Sequence, residues 1–287
     1  MTLSGARSGL VKMEYRGYID THVHTDNSPD GHFSATHLCE KALEKGLRAV
    51  AFTDHCEVDV FYGEGYDRRV RQAYFEVMKA REVFTGDLLV LEGIELAQPA
   101  YEPETAKKIV DAFPYDYVIG SIHNLRNKDD FYYMPTFEGL DIDALMREYL
   151  NEEKIMCEWG GFDSLAHLTY PLRYFFARSQ IIVDMDRYKK EVDEILALLI
   201  EKDKALEINS AGLRQPLCKL SPERDIIKRY RDMGGKLITL GSDAHFDRDL
   251  GAGLDVAAEA AYECGFRSSV IYQNRQPVEI PLYSSEA

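Results

Sequence analysis

The sequence lacks long apolar runs. No stretch of about 18 or more uncharged apolar residues occurs in its 287 residues, so we predict no membrane span. The beginning of the chain carries basic side chains without the apolar segment of about 7–15 residues that a secretory signal needs. We interpret residues 1–15 as a flexible leader and residues 16–287 as one domain. These absences predict a cytoplasmic protein.

Cysteine is also scarce, and it follows no ligand-like spacing. The chain has five cysteines, an odd number, and no CxxC pair occurs among them: Cys39, Cys56, Cys157, Cys218 and Cys264. Such a scatter indicates free, mostly buried thiols in a reducing cytosol.

Positive charge is in deficit. The chain carries 34 Lys and Arg against 49 Asp and Glu, which gives a formal net charge of −15. Broad contact with nucleic acid needs a basic surface that replaces counterions, so we predict no nucleic-acid partner. A small anionic substrate is still compatible with this charge, because bound cations can dominate the field inside a site.

Short β-like segments alternate with amphipathic helical segments along the whole chain. Helical periodicity is found over residues 36–46, 68–84, 141–158, 187–203 and 221–235. Predicted strands span residues 17–23, 47–53, 88–94, 116–122, 163–167, 205–209, 236–241 and a weaker 268–272. Seven or eight βα units in one chain indicate a closed parallel barrel more than an open sheet. Ser221-Pro222 is interpreted as an N-cap followed by proline at the first helical position.

Imidazole and carboxylate side chains recur where these apolar strands end. Six of the eight histidines lie there, together with two carboxylates: His22, His24, His55, His123, His167, His245, Glu95 and Asp243. Parallel barrel strands bring their carboxyl ends to one rim, so these side chains are expected to meet. Histidine with carboxylate suits divalent transition metals, and the pattern predicts a multinuclear metal site. His32 and His37 do not fit it and are interpreted as surface residues.

Acidic residues beside the first histidine pair have two possible roles. Asp26 and Asp30 lie in the turn TDNSPDG, and either could reach back to the metals. Asp20 and Thr21 flank the pair and are candidate acceptors that fix the imidazole tautomers.

The motifs HVHTDNSPDG, FTDH, GIE, GSIH, AHLTYP and GSDAH, over roughly residues 17–250, resemble the polymerase and histidinol phosphatase (PHP) superfamily. The segment EINSAGLRQP is similar to its monofunctional histidinol-phosphate phosphatases. The resemblance implies a single-domain, distorted (β/α)7 barrel with two to three divalent ions, Zn, Fe or Mn. It implies one metal on His22, His24, Glu95 and Asp243, a second on Glu95, His123 and His167, and a third on Asp30, His55 and His245. Some members have histidine where Asp30 stands, which bears on the metal preferred there.

Clustered metals without thiolates indicate hydrolysis, in which a metal-held hydroxide attacks phosphorus. Arginine forks suit phosphate oxygens, and Arg214 and Arg173 follow two predicted strands, with Arg126 a weaker third candidate. Asp243 or His245, or a water that they hold, is the candidate proton source for the leaving group.

The residues alone predict a small phosphorylated substrate, and the resemblance selects histidinol phosphate, a compound of histidine biosynthesis. The loop after His55 could meet the positive end of that substrate through Glu57, Asp59, Glu64, Phe61 and Tyr62. The first alternative is a related phosphoesterase acting on nucleotides or another small phosphate ester. An exonuclease-like module and a non-catalytic metal-binding protein are further alternatives. The sequence carries no signal for the oligomeric state.

Overall fold

A computed structural model describes residues 18–283 of the protein. It contains ten strands and eight α-helices, which alternate along most of the chain. The strands are Tyr18–Val23 (β1), Leu47–Phe52 (β2), His55–Glu57 (β3), Leu89–Ala97 (β4), Tyr117–Ser121 (β5), Ser164–Leu165 (β6), Ala205–Asn209 (β7), Ile238–Gly241 (β8), Ser268–Gln273 (β9) and Gln276–Pro281 (β10). The helices are Ala35–Glu44 (α1), Tyr66–Val83 (α2), Pro103–Ala112 (α3), Ile142–Trp159 (α4), Tyr170–Ser179 (α5), Lys189–Glu201 (α6), Arg224–Asp232 (α7) and Leu254–Glu263 (α8).

Seven parallel strands form a nearly closed barrel in the order β1-β2-β4-β5-β6-β7-β8. The short β3 continues the path of β2 along β4, with His55 opposite Glu95. The seam between β8 and β1 is joined just past the strand ends, where the His24 N–H donates to the Ala244 carbonyl at 2.9 Å. The predicted seven-stranded α/β barrel is therefore confirmed.

Side chains along each strand point alternately into the barrel and towards the helices, which divides the apolar residues into an inner and an outer core. On β4, Leu91 faces the barrel interior and packs with small residues such as Ala49 and Ala51. Ile94 and Leu96 face the helices and belong to the larger outer core. Because side chains alternate along a strand, Glu95 shares the inner face with Leu91, four residues on, at the carboxyl end of the barrel.

The antiparallel hairpin of β9 and β10 covers the amino end of the barrel. Tyr272 stacks on Tyr117 at the start of β5 with ring centroids 5.2 Å apart, and its hydroxyl donates to the Asp163 carbonyl at 3.1 Å. The predicted strand at 268–272 thus exists but lies outside the barrel. With one end closed by this hairpin, the opposite rim is the open one.

The helix predicted over 221–235 begins later than the sequence indicated. The Ser221-Pro222 peptide is cis, and Ser221 pairs with Asn209 through backbone hydrogen bonds of 2.9 and 3.0 Å. Helix α7 therefore begins at Arg224, and the interpretation of Ser221 as an N-cap is wrong.

Three further expectations concern the chain as a whole. The predicted leader, residues 1–15, lies outside the described residues. Within residues 18–283, no helix combines the length and apolar character needed to cross a bilayer. All five cysteines are unpaired and only Cys218 is exposed, as expected for free, mostly buried thiols.

Candidate metal centre

The carboxyl rim of the barrel brings the predicted ligands together. His22 lies in β1 and His24 just after it, while His55 and Glu95 lie on the paired strands β3 and β4. The remaining residues follow their strands within a few positions: His123 after β5, His167 after β6, and Asp243 and His245 after β8. Their ligand atoms form four groups of three, and within each group all the atoms lie within 4.8 Å of one another.

The Glu95 carboxylate is the centre of this cluster. Its Oε1 lies 3.1 Å from His123 Nε2 and 2.9 Å from His167 Nε2. Its Oε2 lies 2.9 Å from His55 Nδ1 and 3.5 Å from His22 Nε2. One fully buried carboxylate therefore faces imidazoles from four strands, the position expected of a bridging ligand.

Two further groups flank Glu95. His22 and His24 approach Asp243, with His24 Nε2 lying 3.4 Å from its Oδ1. On the other side, His245 Nε2 lies 3.3 Å from His55 Nε2 and 3.2 Å from Asp30 Oδ2. Asp30 thus reaches the cluster, whereas Asp26 is exposed to solvent.

Several of these atoms face one another in a way that fits a cation between them. The Nε2 atoms of His22 and His24 are 3.1 Å apart, close to the spacing of about 3.3 Å for two nitrogens on one tetrahedral zinc. His55 Nδ1 and Glu95 Oε2 are buried, lack hydrogen-bond partners and still lie 2.9 Å apart. Buried polar atoms without partners are destabilising, so the donor set fits divalent metal ions.

The groupings differ in two details from those that the resemblance implied. His55 and His245 form a compact group with His24 and not with Asp30. His123 and His167 both contact Glu95, but the compact groups place His123 with His55 and His167 with His22. Glu95 is common to both of these groups, which is consistent with a bridge.

Opposite charges hold the cluster together. Burial alone would raise the pKa of Glu95, but His123, His22 and His55 outweigh it and hold that pKa well below its usual range. Burial opposes charge on His55, yet Glu95 and Asp30 raise its pKa to about 9. Burial and the neighbouring His245 and His55 lower the pKa of His24 well below its usual range.

Glu207 on β7 contacts the cluster, and no local sequence pattern had marked it as a candidate. Its Oε1 lies 2.7 Å from His22 Nδ1, and its Oε2 accepts the His167 backbone N–H at 2.8 Å and the Asn209 amide at 3.1 Å. The side chain is fully buried. A carboxylate in this position fixes the tautomer of His22 so that Nε2 presents its lone pair to the cluster.

That tautomer role had been predicted for Asp20 and Thr21, and the prediction is wrong. Asp20 accepts from the backbone N–H groups of Ser242 and Gly251, at 2.9 and 2.8 Å. Thr21 donates to the Leu240 carbonyl at 3.0 Å. These residues tie β1 to β8 and to the chain after it, and they contact no imidazole ring nitrogen.

Two more polar side chains orient the imidazoles from behind. Ser28 Oγ lies 3.1 Å from His24 Nδ1 and accepts the His55 backbone N–H at 3.0 Å. Glu57 Oε1 lies 3.0 Å from His123 Nδ1, and the Gln98 amide donates to Glu57 Oε2 at 2.8 Å. Glu57 therefore belongs to the support of the cluster.

A cavity of about 630 Å³ opens above the cluster. Arg173 on α5 lines it, is 4% exposed, and directs Nη1 towards Asp243 Oδ2 at 3.4 Å. Its Nη2 is buried without a partner. Arg214 also lines the cavity, but its Nη2 donates to the Ser242 carbonyl at 2.7 Å and its Nε lies 3.6 Å from Asp249.

The remaining basic and histidine candidates are not part of the cluster. Arg126 stacks over Tyr101 and lies 3.3 Å from Glu152, so it is engaged away from the cavity. His32 is exposed, as expected for a surface residue, but it stacks on Phe246 and lines the cavity with it. His37 is partly exposed and lies 3.0 Å from Asp247.

Sequence comparison places the chain among known proteins. The family model of the PHP domain matches residues 20–211. A probable histidinol-phosphatase of Thermotoga maritima is 31% identical over 83% of this chain and 88% of its own length. A histidinol-phosphatase of Lactococcus lactis is 24% identical over 79% of this chain and 84% of its own length.

Solved structures agree on the fold. The histidinol phosphate phosphatase of Lactococcus lactis, complexed with zinc, L-histidinol and phosphate, superposes with a TM-score of 0.75 at 22% identity, covering 91% of this chain and 98% of its own. A protein of Listeria monocytogenes described as a histidinol phosphatase superposes with a TM-score of 0.73 at 18% identity, covering 83% of this chain and 99% of its own. With two thirds of the chain matched by the family model and a relative at 31% identity, the protein belongs to the PHP domain family.

Proposed function

We propose that this protein is a metal-dependent phosphomonoesterase that hydrolyses L-histidinol phosphate to L-histidinol and phosphate. The observation that carries the proposal is the meeting of six imidazoles and three carboxylates at one cavity with the buried Arg173 beside them. The Thermotoga and Lactococcus relatives, named for this activity, support the choice of substrate.

The cluster has enough ligand atoms for two to three divalent ions, and zinc, iron and manganese are the candidates. We assign the ligands as His22, His24, Asp30, His55, Glu95, His123, His167, Asp243 and His245. When bound, such ions lower the pKa of a coordinated water and offset the charge of the phosphate oxygens. The zinc in the Lactococcus structure favours zinc here.

Arg173 and Arg214 are the proposed phosphate ligands. The buried Nη2 of Arg173 has no partner, so a phosphate oxygen would supply the acceptor that this atom lacks. Arg214 holds the carbonyls of Ser242 and Asp243, at 2.7 and 3.4 Å. Its guanidinium therefore supports the segment after β8 as well as facing the cavity.

The ester oxygen needs a proton when its bond to phosphorus breaks. Asp243 and His245 line the cavity. We propose that they hold the water molecule that delivers this proton. Burial raises the pKa of Asp243, but His22, His24 and His245 hold it well below its usual range. Asp243 is therefore a carboxylate that accepts and orients, and it does not give up a proton of its own.

Phosphate release from defined esters tests the function. Purified protein is analysed for metal content and is assayed with histidinol phosphate, a nucleoside monophosphate and p-nitrophenyl phosphate, with and without a chelator. We expect the highest kcat/KM for histidinol phosphate, loss of activity with the chelator, and recovery when the metal is returned. A higher kcat/KM for the nucleotide would assign the protein to the alternative phosphoesterase class.

A further inference from the structure

The charges lining the cavity are unevenly distributed. Arg173 in α5 and Arg214 after β7 supply positive charge, whereas the lining segments in and after β3 and after β5 are mostly acidic. The one lysine of these acidic segments, Lys128, is paired with Glu148. Among these acids, Glu57 is already engaged with His123, while Asp59 and Glu64 are exposed to solvent. Asp130 differs from the others because it is partly buried at the cavity wall.

Asp130 is held in one orientation by its own oxygen partners. Its Oδ1 accepts the Tyr132 backbone N–H at 2.7 Å and the Tyr170 hydroxyl at 3.0 Å. Its backbone also pairs with Asn124 in an isolated antiparallel bridge. With Oδ1 committed to two donors, Oδ2 is the oxygen left for a ligand.

The carboxylate also lacks a cation. Across the described part of the chain, no Lys, Arg or His nitrogen lies within ion-pair distance of Asp130. Burial is the largest influence on this carboxyl and raises its pKa. His123 lowers that pKa from beyond ion-pair distance, so a cationic ligand would supply the direct ion-pair partner that the described residues do not provide.

Tyr170 connects this carboxylate to the reaction centre. Its hydroxyl bonds Asp130, its ring lies 4.7 Å from the Arg173 guanidinium carbon, and the same ring is 5.0 Å from the His123 ring and 4.9 Å from the His167 ring. Tyr170 therefore lies between Arg173, which can bind an anion, and Asp130, which can bind a cation. In histidinol phosphate the ammonium is only a few bonds from phosphorus, so one molecule can reach both.

We propose that Asp130 binds the ammonium group of the substrate and thereby selects phosphate esters of amino alcohols. This assignment rests on the proposed function and adds the residue that distinguishes an aminated ester from a plain one. Asp130 is a specificity residue in this scheme and takes no part in the chemical step.

The test compares two esters that differ only in the amine, histidinol phosphate and its deamino analogue imidazolylpropyl phosphate. Asp130→Asn keeps an acceptor oxygen for Tyr132 and Tyr170 but removes the charge. We expect kcat/KM for histidinol phosphate to fall by about 10- to 100-fold, mostly through KM, with little change for the analogue. Calorimetry with L-histidinol should show the same loss of affinity.

Glu138→Gln is the matched control, because this carboxylate lies in the same loop, is exposed and does not line the cavity, and the substitution removes the same charge. It should leave both esters unaffected. The assignment would be overturned if Asp130→Asn lowered kcat/KM equally for both esters, or for neither. It would also be overturned if Asp59→Asn, and not Asp130→Asn, lowered kcat/KM for histidinol phosphate alone. Wild-type protein that cleaves neither ester would contradict the proposed function, and the assignment with it.

Discussion

At the scale of single residues, Glu95 shows how far strand position alone can identify a candidate ligand. It follows an apolar run, as do the histidines, and the structure places all of them at one rim. Regular strand geometry was sufficient for that prediction, because parallel strands bring their carboxyl ends together.

Replacing Glu95 with Gln tests its place at the centre. The amide keeps the size of the side chain but removes the charge that faces His22, His55, His123 and His167. We expect the variant to lose more than one metal equivalent and most of its activity. Metal content by mass spectrometry measures this, with Glu92→Gln as the control, since Glu92 lies on the same strand facing the helices. Full metal content in Glu95→Gln would refute the bridging role.

Glu207 could not be predicted, for a physical reason. It lies inside the apolar strand segment ALEIN, and its partner His22 is 185 positions away in the sequence. No local spacing records such a pairing, and only the closure of the barrel brings the two together. The same holds for Asp130, whose role depends on the tyrosine that contacts it.

Glu207→Gln should weaken metal binding without unfolding the protein. Glutamine retains an acceptor for the His167 N–H but no longer holds the proton on His22 Nδ1 by charge. We expect metal affinity to fall by about 10- to 100-fold, the usual effect of removing such a support. Competition with a chromophoric chelator gives the affinity, and thermal unfolding of the metal-free variant gives the control. An unchanged affinity would mean that His22 is held by packing alone.

At the scale of elements, the long periodic segments were predicted well and the irregular ones were not. The seven barrel strands and five helices were found within a few residues, because their patterns have a clear period. Helices α3, α5 and α8 were missed. Helix α5 carries Arg173 in the aromatic-rich segment YPLRYFFARS, whose apolar residues surround the helix and show no single face. This helix mattered most for the cavity.

The end of β8 contains a glycine, Gly241, that packs closely against His22 and Glu207. A Cβ atom on Gly241 would lie 2.3 Å from Glu207 Oε1 and 2.5 Å from His22 Cβ. Gly241→Ala should therefore displace the His22–Glu207 pair, with a loss of stability of about 1–3 kcal/mol. We expect a lower melting temperature and reduced metal content.

Gly63→Ala is the control for this substitution, because its Cβ would meet only the Val60 carbonyl at an ordinary 3.7 Å. It should bind metal as the wild type does. If Gly241→Ala melts and binds metal like Gly63→Ala, the strand end tolerates a side chain and the close packing there is unimportant for the site.

At the scale of the whole molecule, an acidic protein contains a site that collects positive charge. The net charge is −15, yet in the protein without metal Glu95 is surrounded by imidazoles with altered proton affinity. Glu207 and Glu95 outweigh burial and raise the pKa of His22 well above its usual range, and Glu57 and Glu95 do the same for His123. Protons are therefore held on imidazoles that metal ions would bind, so metal ions and protons compete for the same nitrogen atoms.

This competition predicts opposite pH trends for the two forms of the protein. In the metal-free form, the pKa of His55 is raised to about 9 from 6.5. The stability from its charged contact with Glu95 is therefore complete below about pH 6.5 and is lost as the pH rises through 9. In the metal-loaded form, binding requires deprotonated imidazole, so affinity and stability should increase over the same range.

Calorimetric titration of the metal-free protein with zinc, in two buffers of different ionisation enthalpy, measures the protons released. At pH 7 we expect net release, because His22, His55 and His123 give up protons to become ligands. Melting temperatures between pH 6.5 and 9 should fall without metal and rise with it. Zinc binding without proton release, together with parallel pH trends for the two forms, would show that these imidazoles are already neutral and that the carboxylates do not hold protons on them.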